Sequence, residues 1–237
     1  MACVDPVFAV LAALLDYPDE ALVAALPEAR ALLRDARSLT ADARAGLERF
    51  LDYCAARDVT TLQENYVALF DRGRATSLYL FEHVHGESRD RGQAMVDLLQ
   101  TYERHGLYLG ANELPDYLPV FLEYLSRLPA KDARALLAET GEILAAIAGE
   151  LTKRRSHYSF VVGALLPLAG VRDDRGPVHA DDDDAARQPG LAVYRALDAA
   201  WSDEPVRFIG APVPVLEPVH FHERRPARQS RGSAGES

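Results

Sequence analysis

Two histidines and two carboxylates near the middle of the chain form the set of side chains best suited to metal chemistry. Glu82, His83, His85 and Glu87 lie close together in sequence, and imidazole and carboxylate groups are ligands for zinc or iron. Residues two positions apart point away from each other on a helix, so the histidines converge only if this segment is extended. Further ligands from elsewhere would also be needed. A helical metal-dependent enzyme using this cluster is therefore kept as an alternative interpretation.

The other motifs that could support catalysis or ligand binding are incomplete. The acidic run Asp181–Asp184 fails as an EF-hand loop, because Ala186 stands at the glycine position and no glutamate closes the loop. Gly106 and Gly110 are not followed by the Gly-Lys-Ser/Thr of a phosphate loop. The patterns G-x-S-x-G and H-E-x-x-H are absent from the sequence. The sequence thus predicts a protein that is not an enzyme.

Large apolar side chains are concentrated in two segments, Leu62–Gly86 and Leu114–Leu125. The first begins with the spacing of a helix that has one apolar face, at Leu62, Tyr66, Leu69 and Phe70. It continues with four consecutive large apolar residues, Leu78–Phe81, which cannot all face one side of a helix or strand. This surplus indicates either a segment covered on two sides or an apolar groove between helices that accepts a partner.

Composition and charge exclude several classes of protein. The 237 residues carry 36 Asp and Glu against 26 Lys and Arg, a formal charge of -10, which argues against general nucleic-acid binding. Cys3 and Cys54 form no C-x-x-C motif, as expected for a reduced, cytoplasmic protein. The apolar run Val7–Leu15 has no basic region before it, and the uncharged stretch Ser156–Val171 is too short to span a bilayer. No export signal or direct membrane insertion is predicted.

The remaining patterns predict an all-α protein, a single-domain bundle of about eight to ten helices. Thr40 is placed to cap one helix, and a second helical stretch is interrupted or restarted at Pro27. The longest helix is expected from about residue 130 to 155, along a stripe that includes Leu137, Leu144 and Leu151. An apolar helix over residues 157–169 is expected to be covered on all sides.

A change in composition marks the end of this bundle. The helical domain is predicted over residues 1–204, with Trp201 on its last helix. Prolines at 205, 212, 214, 218 and 226 exclude a helix beyond it. Residues 205–237 are therefore predicted to be an extended proline-rich tail, disordered at its end.

The two apolar segments also carry a family resemblance. The runs Glu64–Phe70 (ENYVALF), Ser77–Glu87 (SLYLFEHVHGE) and Leu114–Leu125 (LPDYLPVFLEYL) resemble the NarJ family. That family belongs to the redox-enzyme maturation chaperones, together with TorD- and DmsD-like proteins. The resemblance extends from about Val7 to about Phe208. It implies an all-helical cytoplasmic assembly chaperone for respiratory nitrate reductase, with roles in unfolded protein binding, complex assembly and nitrate assimilation.

The resemblance further implies a partner and a site. The partner would be the N-terminal segment of the nitrate reductase catalytic (alpha) subunit, and the chaperone would assist molybdenum cofactor insertion before membrane docking while binding no cofactor permanently. A chaperone for a different molybdoenzyme is the other interpretation. The candidates for the apolar floor and walls of the peptide site, some of which must be core, are Tyr66, Leu69, Phe70, Leu78, Tyr79, Phe81, Leu118 and Leu122. The candidates for an acidic rim that pairs with basic residues are Glu82, Asp116 and Glu123.

Overall fold

The structure of the chain is a computed structural model, and it describes residues 4–84, 89–110 and 113–172. These ranges contain ten α-helices and one 3₁₀ turn, Arg74–Thr76. The helices are α1 (Val7–Leu15), α2 (Glu20–Asp35), α3 (Ala41–Ala55), α4 (Val59–Phe70), α5 (Leu80–Val84), α6 (Arg89–Arg104), α7 (Leu118–Arg127), α8 (Ala130–Glu139), α9 (Gly141–Lys153) and α10 (Tyr158–Leu168). Within the same ranges the only β-type pairings are two isolated bridges. The all-α prediction is confirmed.

Several predicted features lie outside the described residues. They are Cys3, His85, Glu87, the acidic run Asp181–Asp184, Trp201 and the proline-rich tail over residues 205–237. The boundary between domain and tail therefore remains a prediction. Among the helices that are described, none combines the length and the apolar character needed to cross a membrane.

Local sequence signals explain where several helices begin and end. The Thr40 side chain accepts a hydrogen bond from the Ala43 amide at 3.1 Å, which confirms it as the cap of α3. Gly106, with φ +78°, follows the end of α6 in the left-handed conformation that favours glycine. The prediction of an interruption at Pro27 is wrong, because α2 runs through it without a break. Pro27 is exposed there, so the backbone carbonyl that it leaves without an amide donor faces solvent.

The predicted long helix over residues 130–155 is also corrected, since it is two helices that meet at Thr140. The Thr140 hydroxyl donates to the Leu137 carbonyl at 2.8 Å, and the Thr140 amide donates to the same carbonyl at 3.0 Å. Any side chain on Gly141 would begin 2.7 Å from the Val171 side chain, so the chain passes close to its neighbour here. The apolar stripe continues across the break through Leu137, Leu144 and Leu151, all fully buried.

Helix α10 forms the centre of the core, as its composition predicts. Every residue from Tyr158 to Leu168 except Pro167 is buried, and the helix packs against α1, α3, α8 and α9. The Tyr158 ring lies 4.9 Å from the Phe50 ring and 5.0 Å from the Phe70 ring, both edge to face. The central helix thereby fixes α3 and α4, which in turn support the segments described below.

Candidate functional site

The two apolar segments meet through their backbones. The Leu80 amide donates to the Asp116 carbonyl at 2.9 Å, and the Leu118 amide donates to the Leu78 carbonyl at 2.8 Å. These two bonds make an isolated antiparallel bridge between Tyr79 and Tyr117. The bridge joins the start of α5 to the start of α7, so the segments that carry the family resemblance form one unit.

A buried carboxylate reinforces this junction. Asp116 is completely buried, and its Oδ2 accepts a hydrogen bond from the Phe81 amide in the first turn of α5 at 3.1 Å. Its Oδ1 has no hydrogen-bond partner among the described residues. Burial raises the pKa of Asp116, while the hydrogen bond from Phe81 and the charge of Arg91 oppose that rise. Asp116 thus holds α5 against α7 from inside, and it does not lie at a surface rim in this structure.

Most of the predicted apolar candidates lie in the core. The fully or nearly fully buried ones are Tyr66, Phe70, Leu78, Leu118 and Leu122. Leu69 and Phe81 are partly buried and pack against the core. The four consecutive residues Leu78–Phe81 are accommodated because Leu78 and Leu80 are buried while Tyr79 and Phe81 are only partly covered. Binding of a peptide by this set stays a prediction, with Tyr79 the member that lines an open surface.

That surface is a groove of about 710 Å³, which we call the tyrosine groove. One wall is α1, a second is α7, and the third is the segment from Leu107 to Leu114 that precedes α7. Five of the ten tyrosines of the chain line it, namely Tyr79, Tyr102, Tyr108, Tyr117 and Tyr124. The groove has apolar rings with polar ends on three sides, a surface that is enriched in protein interfaces.

Hydrogen bonds fix the tyrosines at one end of the groove. The Tyr117 and Tyr66 hydroxyl oxygens lie 2.7 Å apart, and the Tyr117 hydroxyl also donates to Asp16 at 3.2 Å. The Tyr66 hydroxyl donates to the Leu15 carbonyl at the end of α1 at 3.0 Å. Burial is the main cause that raises the pKa of both phenols, so both stay protonated at neutral pH. The groove wall is therefore connected to α4 by a neutral, ordered network.

The middle of the groove is held in a similar way. The buried Tyr102 hydroxyl donates to the Pro115 carbonyl at 2.8 Å, and its ring lies 4.6 Å from the Tyr124 ring. The Tyr124 hydroxyl is 3.2 Å from Nδ1 of His105. These contacts place α6 behind the groove and leave Tyr108, with 79% of its surface exposed, at the outer wall.

Acidic side chains border the groove. Asp16, Glu113 and Glu123 lie among its lining residues, and Glu123 pairs with Arg127 at 3.0 Å. Of the predicted rim, Glu123 is in the groove, whereas Glu82 lies 3.7 Å from Arg91 and is not part of the lining. An acidic border favours approach of a basic partner more than it adds to affinity.

The residues proposed for a metal-dependent enzyme have other contacts where they are described. Glu82 faces Arg91, and Nε2 of His83 lies 2.9 Å from the Ser77 carbonyl. No group of three or more His, Cys, Asp or Glu side chains within the described ranges is arranged to hold a metal ion. His85 and Glu87 lie outside those ranges.

Two parts of the groove escaped the sequence analysis. One is the outer face of α1, where Ala9 and Ala13 line the groove. The other is the stretch from Leu107 to Leu114, which has no helical period. A signal for the first was present, because Val7–Leu15 contains no charged residue although α1 lies at the surface.

Comparisons with known proteins agree with this architecture. Residues 9–160 match the family described as nitrate reductase delta subunit. The chain is 43% identical over 216 residues to the nitrate reductase molybdenum cofactor assembly chaperone NarJ of Escherichia coli K12, covering 91% of this chain and 90% of that protein. The same values hold for NarJ of Escherichia coli O157:H7.

A more distant relative comes from Bacillus subtilis. The protein named "Probable nitrate reductase molybdenum cofactor assembly chaperone NarJ" is 34% identical over 177 residues, covering 73% of this chain and 95% of that protein. The matched family region includes α1, α4, α5 and α7, the helices that form or support the tyrosine groove. The resemblance seen in the sequence is confirmed, and the chain belongs to the nitrate reductase delta subunit family, whose NarJ members are assembly chaperones.

Proposed function

We propose that this chain is a cytoplasmic assembly chaperone, not an enzyme, that binds the N-terminal segment of the nitrate reductase catalytic subunit in the tyrosine groove. The observation that carries the proposal is the groove itself, an open, aromatic surface of about 710 Å³ with acidic residues at its border. Family membership and the names of the relatives support nitrate reductase as the client and molybdenum cofactor insertion as the step assisted.

The chaperone would act by occupying the partner's N-terminus. While that segment is bound, the apo-enzyme stays open for cofactor loading and cannot yet dock with its membrane subunits. The molybdenum cofactor is cargo for the partner, and the chaperone itself binds no cofactor permanently. Release must follow loading, so the interaction has to be reversible and no covalent step is required.

The energetics of such an interaction are adequate without extreme affinity. Each large apolar side chain that the partner buries contributes about 1.5–3 kcal/mol. Association and ordering of the segment cost at least roughly 4 kcal/mol. Four or five anchors then leave on the order of 8–12 kcal/mol at most, which corresponds to dissociation constants of about micromolar to nanomolar.

Calorimetric titration of the full chain with a peptide of the partner's N-terminal segment tests this proposal. Leu114 lies in the groove and is 44% exposed, so Leu114→Asn should weaken binding by about tenfold without changing helix content. Leu32 on α2 is 42% exposed but lies outside the groove, and Leu32→Asn is the matched control that should bind like the wild type.

Three results would count against the proposal. Absence of wild-type binding would remove the client, and equal effects of the two substitutions would remove the groove. Tighter binding of the N-terminal peptide from another molybdoenzyme would assign the chaperone to that enzyme instead.

A further inference from the structure

The outer face of α1 is unusual for a helix at the protein surface. Ala9, Ala13 and Asp16 are its exposed positions at i, i+4 and i+7, and the two alanines line the tyrosine groove. Solvent-facing helix positions normally carry charged or long polar side chains. Small side chains instead allow a second helix to approach to about 8 Å between axes. A stripe of alanines facing an open groove therefore fits a helix better than an extended peptide.

The dimensions of the groove agree with two turns of helix. Ala9 to Asp16 spans about 10 Å along the axis of α1, at about 1.5 Å per residue. A helix with its side chains is about 10 Å wide, so two turns occupy on the order of 800 Å³. This is close to the 710 Å³ of the groove.

The two ends of the groove differ in charge. Helices α1 and α7 are antiparallel, because Asp16 after α1 contacts Tyr117 before α7, and Val4 before α1 pairs with Pro129 after α7. At the first end Asp16 adds a carboxylate to the negative, C-terminal end of α1. At the other end the Glu123 carboxylate is compensated by Arg127 at 3.0 Å. Negative charge is therefore concentrated at the Asp16 end.

We propose that the partner's segment binds as a helix along α1 and antiparallel to it, with its N-terminal end at Asp16. The proposal rests on the proposed function and adds the orientation and the chemistry of the bound segment. The positive end of the bound helix dipole, together with an amino group or a Lys or Arg in its first turn, then faces Asp16 and the C-terminal end of α1. Two large apolar side chains four positions apart lie over Ala9 and Ala13.

The orientation can be measured on the full chain by paramagnetic labelling. A nitroxide is attached to one end or the other of the partner's N-terminal peptide, and amide signals of the isotopically labelled chaperone are recorded in each complex. The label at the N-terminal end should broaden the signals of Asp16 and Tyr17, and the label at the C-terminal end should broaden those of Ala9 and Arg127. The reverse pattern, or broadening of neither set by a peptide that binds, would overturn the proposal.

Substitutions on α1 provide a second test. Ala13→Leu should reduce peptide affinity about tenfold or more, because the larger side chain fills the space of the bound helix. The matched control is Ala135→Leu, an equally exposed alanine on α8 outside the groove, which should bind like the wild type. Asp16→Asn should reduce the affinity several-fold for a peptide with a basic first turn.

These experiments separate the two proposals. If the wild type does not bind the peptide, the proposed function fails. If the wild type binds and Ala13→Leu binds equally well, the client and its chaperone stand and helix packing along α1 is wrong.

Discussion

At the scale of single residues, Asp116 shows how a signature residue can matter without touching a partner. It is completely buried, caps the first turn of α5 through the Phe81 amide, and leaves Oδ1 without a partner among the described residues. Its backbone carbonyl accepts from Leu80, so both its side chain and its main chain attach α5 to the groove wall. We therefore regard Asp116 as a positioning residue.

The ionisation of Asp116 should be visible in the pH dependence of stability. Burial raises the pKa of the folded-state carboxyl above its unfolded value, with Glu82 raising it further and Arg91 lowering it. The folded state then holds the proton more tightly than the unfolded chain. The stability from this carboxyl is fully present below the unfolded pKa and is lost as pH rises through the folded pKa.

Asp116→Asn keeps an acceptor for Phe81 but has no charge to desolvate. The free energy of unfolding of the variant minus that of the wild type should therefore increase as pH rises from about 3.5, below the usual carboxyl pKa of about 3.9, to 7. Urea denaturation at a series of pH values measures this difference. A difference that is constant across the range would show that the carboxyl does not titrate differently in the folded state.

At the scale of helices, much of the fold could be predicted because local signals determine it. Thr40 caps α3 by a bond within its own turn, and the apolar run over residues 157–169 admits no exposed face. The division at Thr140 could not be predicted in the same way. It results from the close approach of Val171 to Gly141, a contact between distant parts of the chain, while the apolar stripe continues unchanged across it.

The site was predicted only in part, and the reason is geometric. The resemblance identified the segments that meet at the bridge of Tyr79 and Tyr117, but it could not say which side chains face outward. Tyr66 and Leu122 turn into the core, whereas Tyr79 and Glu123 face the groove. The groove also needs α1, which joins it through antiparallel packing on α7 and not through any motif of its own.

Two glycines in helices give a prediction about packing between elements. A methyl group on Gly46 of α3 would lie 2.9 Å from Cδ1 and 3.4 Å from Cβ of Phe160 on α10. The same group on Gly149 of α9 would meet nothing within 4 Å. Gly149→Ala should therefore raise the free energy of unfolding by about 0.5–1 kcal/mol through backbone entropy alone.

Gly46→Ala receives the same benefit but must also displace the Phe160 ring, which lies under the Arg49 guanidinium in the core contact of α3 and α10. Overpacking of this kind costs about 1–3 kcal/mol, so the variant should be less stable than the wild type. Chemical denaturation of both variants measures the difference. A Gly46→Ala variant as stable as Gly149→Ala would mean that the two helices separate easily.

At the scale of the whole molecule, charge and groove act together on association. The chain has a formal charge of -10, and the groove border contributes Asp16, Glu113 and Glu123. Such a field attracts a basic segment over distances of about the Debye length, which is about 30 Å at 0.01 M salt and about 10 Å at 0.1 M. The tyrosine and alanine surfaces, by contrast, hold a bound segment through apolar contact that salt hardly changes.

The proposed function therefore predicts different salt dependences for the two rate constants. For a basic N-terminal peptide, the association rate constant should fall about tenfold or more between 0.01 and 0.5 M salt, and the dissociation rate constant should change less than about twofold. Stopped-flow fluorescence with a labelled peptide measures both. Replacing the peptide's basic residues with glutamine should abolish the salt dependence of association while leaving dissociation similar. If the association of the basic peptide does not depend on salt, the acidic border takes no part in capture, and the groove must select its partner by shape and apolar contact alone.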